Sequence, residues 1–248
     1  MKRIIAVGLL WNLFFSIVFS QNKENATNGD FVKTITYNLS MSLVGTQYNI
    51  NKRDIEKLFF GDFNAPVEFF FNPSSEAVPS MGTPSGLRII RDTLNKSSIL
   101  EIKYISNYRE ANKEAEKKYP LIAGIPVKPD TIAEHNKAMI AKYYEEASKL
   151  YKIETHSYPI SNLLAEKLYE KMGSFIGNFK GKGVPGIIFD GYSVTFRTVV
   201  EDEVWSLWIL MPQGDALKMT DLCLQIIKDA DANQLNEREY IRTLDTLF

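Results

Sequence analysis

Two histidines, one cysteine and one tight run of carboxylates are the residues of this chain whose types could do chemistry. His135 and His156 sit on different elements. Neither has a His-x-x-x-His or Cys-x-x-Cys companion, the spacings that would aim two ligands at one metal ion. His135 falls on a charged helical stretch and reads as solvated; His156, in "ETHSYP", reads as a strand-end or turn residue. Cys223 lies in the apolar stretch "DLCLQII" with no second cysteine to pair with, as expected of a buried, inert thiol. Glu201, Asp202 and Glu203 make an acidic turn, expected to be solvated, with a weak cation site as the alternative. "GNFKGKG", Gly177 to Gly183, fails as a phosphate loop. Only Asn178, Phe179 and Lys180 separate Gly177 from Gly181, Gly183 stands where Ser or Thr is needed, and the loop leads from a helix into a strand. No G-x-S-x-G elbow or Ser/His/Asp set is recognisable. A carboxylate pair for glycoside hydrolysis is a spatial feature that spacing cannot pick from 30 acidic residues. These readings predict no metal and no cofactor.

What remains is "VTFRTVVEDEVWSLWI", residues 194 to 209. A tight loop around Glu201-Asp202 opposes Val199 to Val204, Arg197 to Ser206, Thr195 to Trp208 and Val194 to Ile209. Upstream, Asp190-Gly191 has the composition of a two-residue hairpin turn. It would pair Phe189 with Tyr192 and Ile187 with Val194, giving a three-strand meander. One face then collects Ile187, Phe189, Tyr192, Val194, Phe196, Trp205, Leu207, Ile209 and Met211, which reads as core. The other collects Ser193, Thr195, Arg197, Ser206 and Trp208 with Val199, Val204 and Leu210. Thr195, Arg197 and Trp208 are therefore the candidate binding residues. Aromatic residues and arginine are enriched where proteins bind partners, and a guanidinium over an exposed indole gains about 0.5–1 kcal/mol. The competing reading is that a helix covers this face, Trp208 and Leu210 pack beneath it, and Arg197 carries its charge out to water.

The elements that position these residues follow from periodicity. "FVKTITYNLSMSLVG", residues 31 to 45, alternates cleanly, with Phe31, Ile35, Tyr37, Leu39, Met41 and Leu43 on one face and Lys33 as the exception. "NKRDIEKLFFG" predicts a short helix with Ile55, Leu58 and Phe59 inward and Gly61 as its stop. "PVEFFF" predicts a buried strand, residues 73–86 a Pro/Gly loop, and Leu87–Arg91 and Ile99–Ile105 two further strands. Asn107 and Glu110 have capping-box spacing ahead of a charged helix. Helices are also expected over 131–151 and 160–175 and from Asp215, with a break near Asn233. The fold class is α+β: an antiparallel sheet, including the C-terminal meander, packed by several helices.

The first twenty residues set the compartment. Lys2 and Arg3 precede an apolar run, Ile4 to Phe19, closing on Val18-Phe19-Ser20. That pattern predicts a signal peptide over 1–20, cut before Gln21, because a membrane span needs about 20 apolar residues. No anchor would remain after cleavage. Residues 21–30 read as a polar leader and 31–248 as a single α+β domain. Losing Lys2 and Arg3 from 29 basic residues leaves 27 against 30 acidic ones, a formal charge of −3. No basic stripe suits nucleic acid.

Three stretches together, "NAPVEFFF" with "PSGLRIIRD", "EIKYISNYREA", and "FDGYSVTF" with "VWSLWILMP", resemble exported proteins of Bacteroides-type bacteria that carry no assigned activity. The resemblance implies a periplasmic or secreted, surface-exposed life. It also implies interest in Asp92-Thr93-Leu94, Asp130-Thr131-Ile132 and Asp245-Thr246-Leu247, patterns of the kind such bacteria O-glycosylate. The expected function is an exported, non-enzymatic binding or interaction module of the cell envelope, its partner a small molecule, glycan or envelope protein. The alternative is a hydrolase acting on glycan or peptide through an unidentified carboxylate or His-based site.

Overall fold

Among the described residues, seven strand segments are scattered along the chain from end to end, and a single antiparallel sheet gathers them. The computed structural model describes residues 31–37, 50–61, 65–73, 82–92, 97–120, 129–180, 191–201 and 203–248. Its strands are β1 (Phe31–Tyr37), β2 (Val67–Pro73), β3 (Ser85–Asp92), β4 (Ser97–Ile105), β5 (Ile153–Ile160), β6 (Tyr192–Val200) and β7 (Glu203–Leu210). They lie in the order β1-β7-β6-β2-β3-β4-β5, every neighbour antiparallel. The described helices are α1 (Ile50–Phe59), α2 (Tyr108–Lys118), α3 (Pro129–Leu150), α4 (Asn162–Asn178), α5 (Asp215–Asp231) and α6 (Glu237–Thr246). The α+β class is as the periodicity predicts.

The two faces of the sheet differ in chemistry. On one, Val67, Phe69, Phe71, Leu87, Ile89, Leu100, Ile102, Val194, Phe196, Leu207 and Ile209 form a continuous apolar surface under α4, α5 and α6. Apolar burial is the main favourable term in folding, so this layer is the principal core. Cys223 is buried in it, and burial pushes its thiol well above the ordinary range. Trp205 is half-buried against this core, its indole N–H donating to Glu203 Oε2 at 2.8 Å. Gly177 of α4 admits the indole, since a Cβ there would lie 2.9 Å from its ring. The opposite face meets α1, whose Ile55 and Phe59, with Phe60 just beyond the helix, pack with Phe70, Ile105 and Tyr108. Gly86 makes that docking possible. A Cβ on it would stand 2.9 Å from the Phe69 carbonyl oxygen and 3.1 and 3.2 Å from the Phe59 and Phe60 rings.

Several expectations are corrected. The β6–β7 pairing has the predicted register, Val199 to Val204, Arg197 to Ser206, Thr195 to Trp208 and Val194 to Ile209. The three-strand meander does not form, because the other edge of β6 is occupied by β2, with Pro73 opposite Tyr192 and Phe71 opposite Val194. A strand has only two edges, so these two strands are a hairpin inside a larger sheet. Asn107 does not build a capping box. Its side chain donates to Leu150 O at 2.8 Å and accepts from the Lys152 N–H at 2.7 Å, tying the start of α2 to the α3–β5 junction. The charged helix α2 has a buried side as well: Tyr108, Ala111, Asn112 and Ala115 are buried, and α2 packs on α3. Finally, His156 is neither a turn nor a strand end but lies in the middle of β5. The expected signal segment 1–20, the leader 21–30, residues 38–45, most of the 73–86 loop, Ile187 to Asp190, Asp202 and the side chain of His135 lie outside the described residues.

Candidate functional site

Four neighbouring strands, β6, β2, β3 and β4, carry a charged residue inside an apolar run, and pairing lines these residues up. Ser206, Arg197, Glu68, Arg88, Glu101 and Ser157 stand opposite one another in sequence across β7, β6, β2, β3, β4 and β5. The signs alternate along the four charged members. Arg197 Nη2 is ion-paired with Glu68 Oε2, and Arg88 Nε donates to Glu101 Oε1 at 2.9 Å. Helix α1 completes the row: Glu56 accepts from the Thr195 hydroxyl at 2.6 Å and lies 3.4 Å from Arg197 Nη1. Lys103 donates to Phe59 O, placing a cation at the helix C-terminus, where the dipole favours it. Phenyl rings floor the cations, with Phe70 4.3 Å from the Arg197 guanidinium and Phe60 5.0 Å from that of Arg88.

This row decides the standing of the three residues the hairpin nominated. Arg197 is 2% exposed and Thr195 4%; Trp208 is half-buried. The exposed recognition patch is therefore corrected: α1 covers this face, and Thr195 and Arg197 anchor it through Glu56. Arg197 does not reach water either, since it is met inside by Glu68 and Glu56. Burial raises the Glu68 carboxyl above the ordinary carboxylate range, against the opposing pull of Arg197. A buried ion pair adds little stability, yet removing one partner strands a charge. The row is a structural element that fixes register and docks α1.

The accessible constellation is at the other end of the sheet. On the edge strand β5, Glu154, His156 and Tyr158 stand opposite Tyr104, Ile102 and Leu100 of β4. Asp231, at the end of α5, reaches over them. Its Oδ1 lies 2.7 Å from His156 Nδ1 and accepts from the Tyr158 hydroxyl at 3.0 Å, and that hydroxyl is 3.3 Å from the same His156 nitrogen. Tyr104 donates to Glu154 Oε2 at 2.9 Å. The His156 ring stands edge-on to Tyr104 and to Tyr158, with centroids 5.4 and 6.4 Å apart. The side chains of His156 and Asp231 are 40% and 33% exposed, so these groups are ordered by one another and still meet solvent. Desolvation and the Glu154 carboxylate push the Tyr104 phenol up to about 12. Burial and Asp231 raise Tyr158. Glu154 is held below its ordinary range by hydrogen bonds from Ser106 and then Tyr104. The phenols are thus donors, and Glu154 is an anion.

Chemically this arrangement offers half-exposed rings beside fixed carboxylates. An acid on Nδ1 is half of a catalytic dyad, but the hydroxyl beside it is a phenol on the same nitrogen, already donating to Asp231. Among the described residues no group of three His, Cys, Asp or Glu side chains could hold a metal ion, and no helix is long and apolar enough to cross a membrane. The partner of His156, Asp231, is 75 residues away in the chain, so no local spacing signals the contact. The edge pattern of "IETHSYPI", polar on both faces, was the one clue available. The fold and site define an antiparallel α+β protein with a polar, aromatic sheet edge. No protein-family model matches the chain, and no curated protein or solved structure matches it either.

Proposed function

We propose that the protein is an exported, non-enzymatic binding module of the cell envelope that meets its partner at the β5 edge. The observation that carries this reading is the Tyr104–His156–Tyr158 array, half-exposed and fixed by Glu154 and Asp231. Pre-ordered side chains lose little entropy when a ligand arrives, and rigid strands place them more closely than loops would. Export rests on the basic start and the apolar run to Phe19; intact-mass analysis of periplasmic protein should find a chain beginning at Gln21. A mass retaining residues 1–20 would refute cleavage.

The partner classes are those that rings and carboxylates recognise: a glycan, a small polar molecule, or an envelope polypeptide. Titration with panels of each, followed through the tyrosine ring signals by NMR, tests the site. Tyr104→Ala with Tyr158→Ala should weaken binding by about tenfold or more, the equivalent of about 1.4 kcal/mol. Undiminished binding would sink the proposal. The hydrolase reading is favoured by one observation, the 2.7 Å contact that orients His156. It requires turnover of a glycan or peptide that His156→Ala abolishes, whereas the binding reading requires affinity without turnover.

A further inference from the structure

Strand β5 ends the sheet, and the backbone contacts at its start define which of its peptide groups face outward. The Ser106 N–H donates to Lys152 O at 3.0 Å, and the Lys152 N–H donates to Asn107 Oδ1. Residue 152 thus turns both its groups towards the β4 side. On β4, the Ile105 N–H points the other way, to Pro84 O at 3.2 Å. Antiparallel strands alternate in this respect residue by residue. It follows that Glu154, His156, Tyr158 and Ile160 bond β4, while Ile153, Thr155, Ser157 and Pro159 turn away from it. Pro159 falls in the outward set, the one place in a strand where a missing N–H sacrifices no ladder bond. Among the described residues β5 has β4 as its one neighbouring strand.

Such an edge is a template for another strand, and proteins commonly blunt it with lysine or a bulge. Here Pro159 blunts the end of the edge, and the side chains ahead of it are Glu154, Thr155, His156, Ser157 and Tyr158. The charge complementing them is positive: Glu154 is an ionised acceptor, and Asp231 stands over the strand on the same face. The exposed hydroxyl residues Thr155 and Ser157 lie on the other face.

We propose that β5 accepts an extended, basic segment of a partner polypeptide as an eighth strand of the sheet. Its alternate Lys or Arg side chains would meet Glu154, Asp231 and the Tyr104–His156–Tyr158 rings. This rests on the binding reading above and selects the polypeptide among its partner classes. Backbone bonds to Thr155 and Ser157 supply affinity, and the aromatic and acidic side chains supply specificity, the usual division in strand addition.

The test uses the purified protein and three labelled synthetic peptides: alternating Lys-Thr, alternating Glu-Thr, and the Lys-Thr peptide N-methylated at every amide, so that neither of its edges can donate. Fluorescence anisotropy reads binding, and amide hydrogen exchange reads the edge. The Lys-Thr peptide should bind and slow exchange at Thr155 and Ser157, while the acidic and N-methylated peptides should not. Ser157→Pro removes one outward donor and leaves the β4 ladder intact; it should weaken binding about tenfold, as loss of a hydrogen bond and steric blocking of the edge require. Ser157→Ala should bind as the native protein does. Lack of Lys-Thr binding, or equal binding of the N-methylated peptide, overturns strand addition. If Tyr158→Ala abolishes binding while Ser157→Pro leaves it unchanged, the recognition patch stands and the strand proposal falls. Binding indifferent to both substitutions overturns both.

Discussion

The sheet carries ionic groups in two places, and they have opposite relations to water. In the Arg197–Glu68–Arg88–Glu101 row, the charges lie under α1, opposite one another on adjacent strands, and their partners are inside the protein. At the β5 edge, His156, Asp231, Tyr158, Tyr104 and Glu154 are equally interlinked but half-exposed. Residue types alone do not separate the two; an arginine beside a tryptophan looks more like a binding site than a histidine in a threonine–serine strand. Coverage separates them. A helix seated on charges turns them into scaffold, and an uncovered edge leaves them available to a partner.

The comparison breaks most clearly if the interior row is removed one charge at a time. Arg197→Ala strands Glu68 and Glu56 and should cost about 3–5 kcal/mol in chemical denaturation. Replacing both Arg197 and Glu68 with leucine should return most of that loss, because well-packed apolar residues can stand in for a buried ion pair. A single substitution costing under about 1 kcal/mol, as a surface pair would, would make the row a surface feature and end the contrast.

Gly86→Ala sharpens the claim that α1 is seated on this face. The added Cβ meets the Phe69 carbonyl oxygen and the rings of Phe59 and Phe60, so overpacking should cost about 1–3 kcal/mol. Proteolysis within α1 should accelerate along with the loss of thermal stability. An unchanged melting temperature would mean that α1 does not press on Gly86.

At the edge, stability and recognition should part company. Asp231→Asn weakens a half-exposed pair and should cost no more than about 1 kcal/mol, while releasing His156 and Tyr158 from their fixed geometry. Partner binding should fall even though the melting temperature barely moves. If stability falls as far as in Arg197→Ala, the edge cluster is scaffold too.

The smallest effect concerns pH. Burial raises the Glu68 carboxyl above its ordinary value of 4.5, so the folded protein holds that proton more tightly than the unfolded chain. Its contribution is fully present below 4.5 and is lost as pH rises through the raised folded value. Glu68→Gln has no proton to lose. Urea unfolding should therefore show the variant gaining on the native protein as pH rises from 4.5, and a gap moving the other way would contradict the burial of Glu68.

Much of the local structure was legible because it is written in neighbouring residues. Alternation in "VTFRTVV" and "EVWSLWIL" sets which side chains share a face, and the short loop between them sets the register, so the pairing of Phe196 with Leu207 in the core is readable from the sequence. The charges inside the apolar runs "VEFFF", "GLRII", "ILEI" and "TFRTV" are also visible in the sequence, though not the row they make. "IETHSYPI" does not read as a strand from its sequence, because most of its side chains meet solvent and nothing imposes a clean apolar alternation.

By itself, the sequence determined the faces, the helical spans and the β6–β7 register, since each depends on spacing within a few turns or a single loop. Tertiary structure decided everything that depends on who sits next to whom. It put the distant β2 beside β6, brought Asp231 to His156, and laid α1 across Arg197. The physical reason is that periodicity encodes the direction of a side chain, whereas burial depends on what the rest of the chain places over it. A charged residue is recognition or scaffold according to that covering alone.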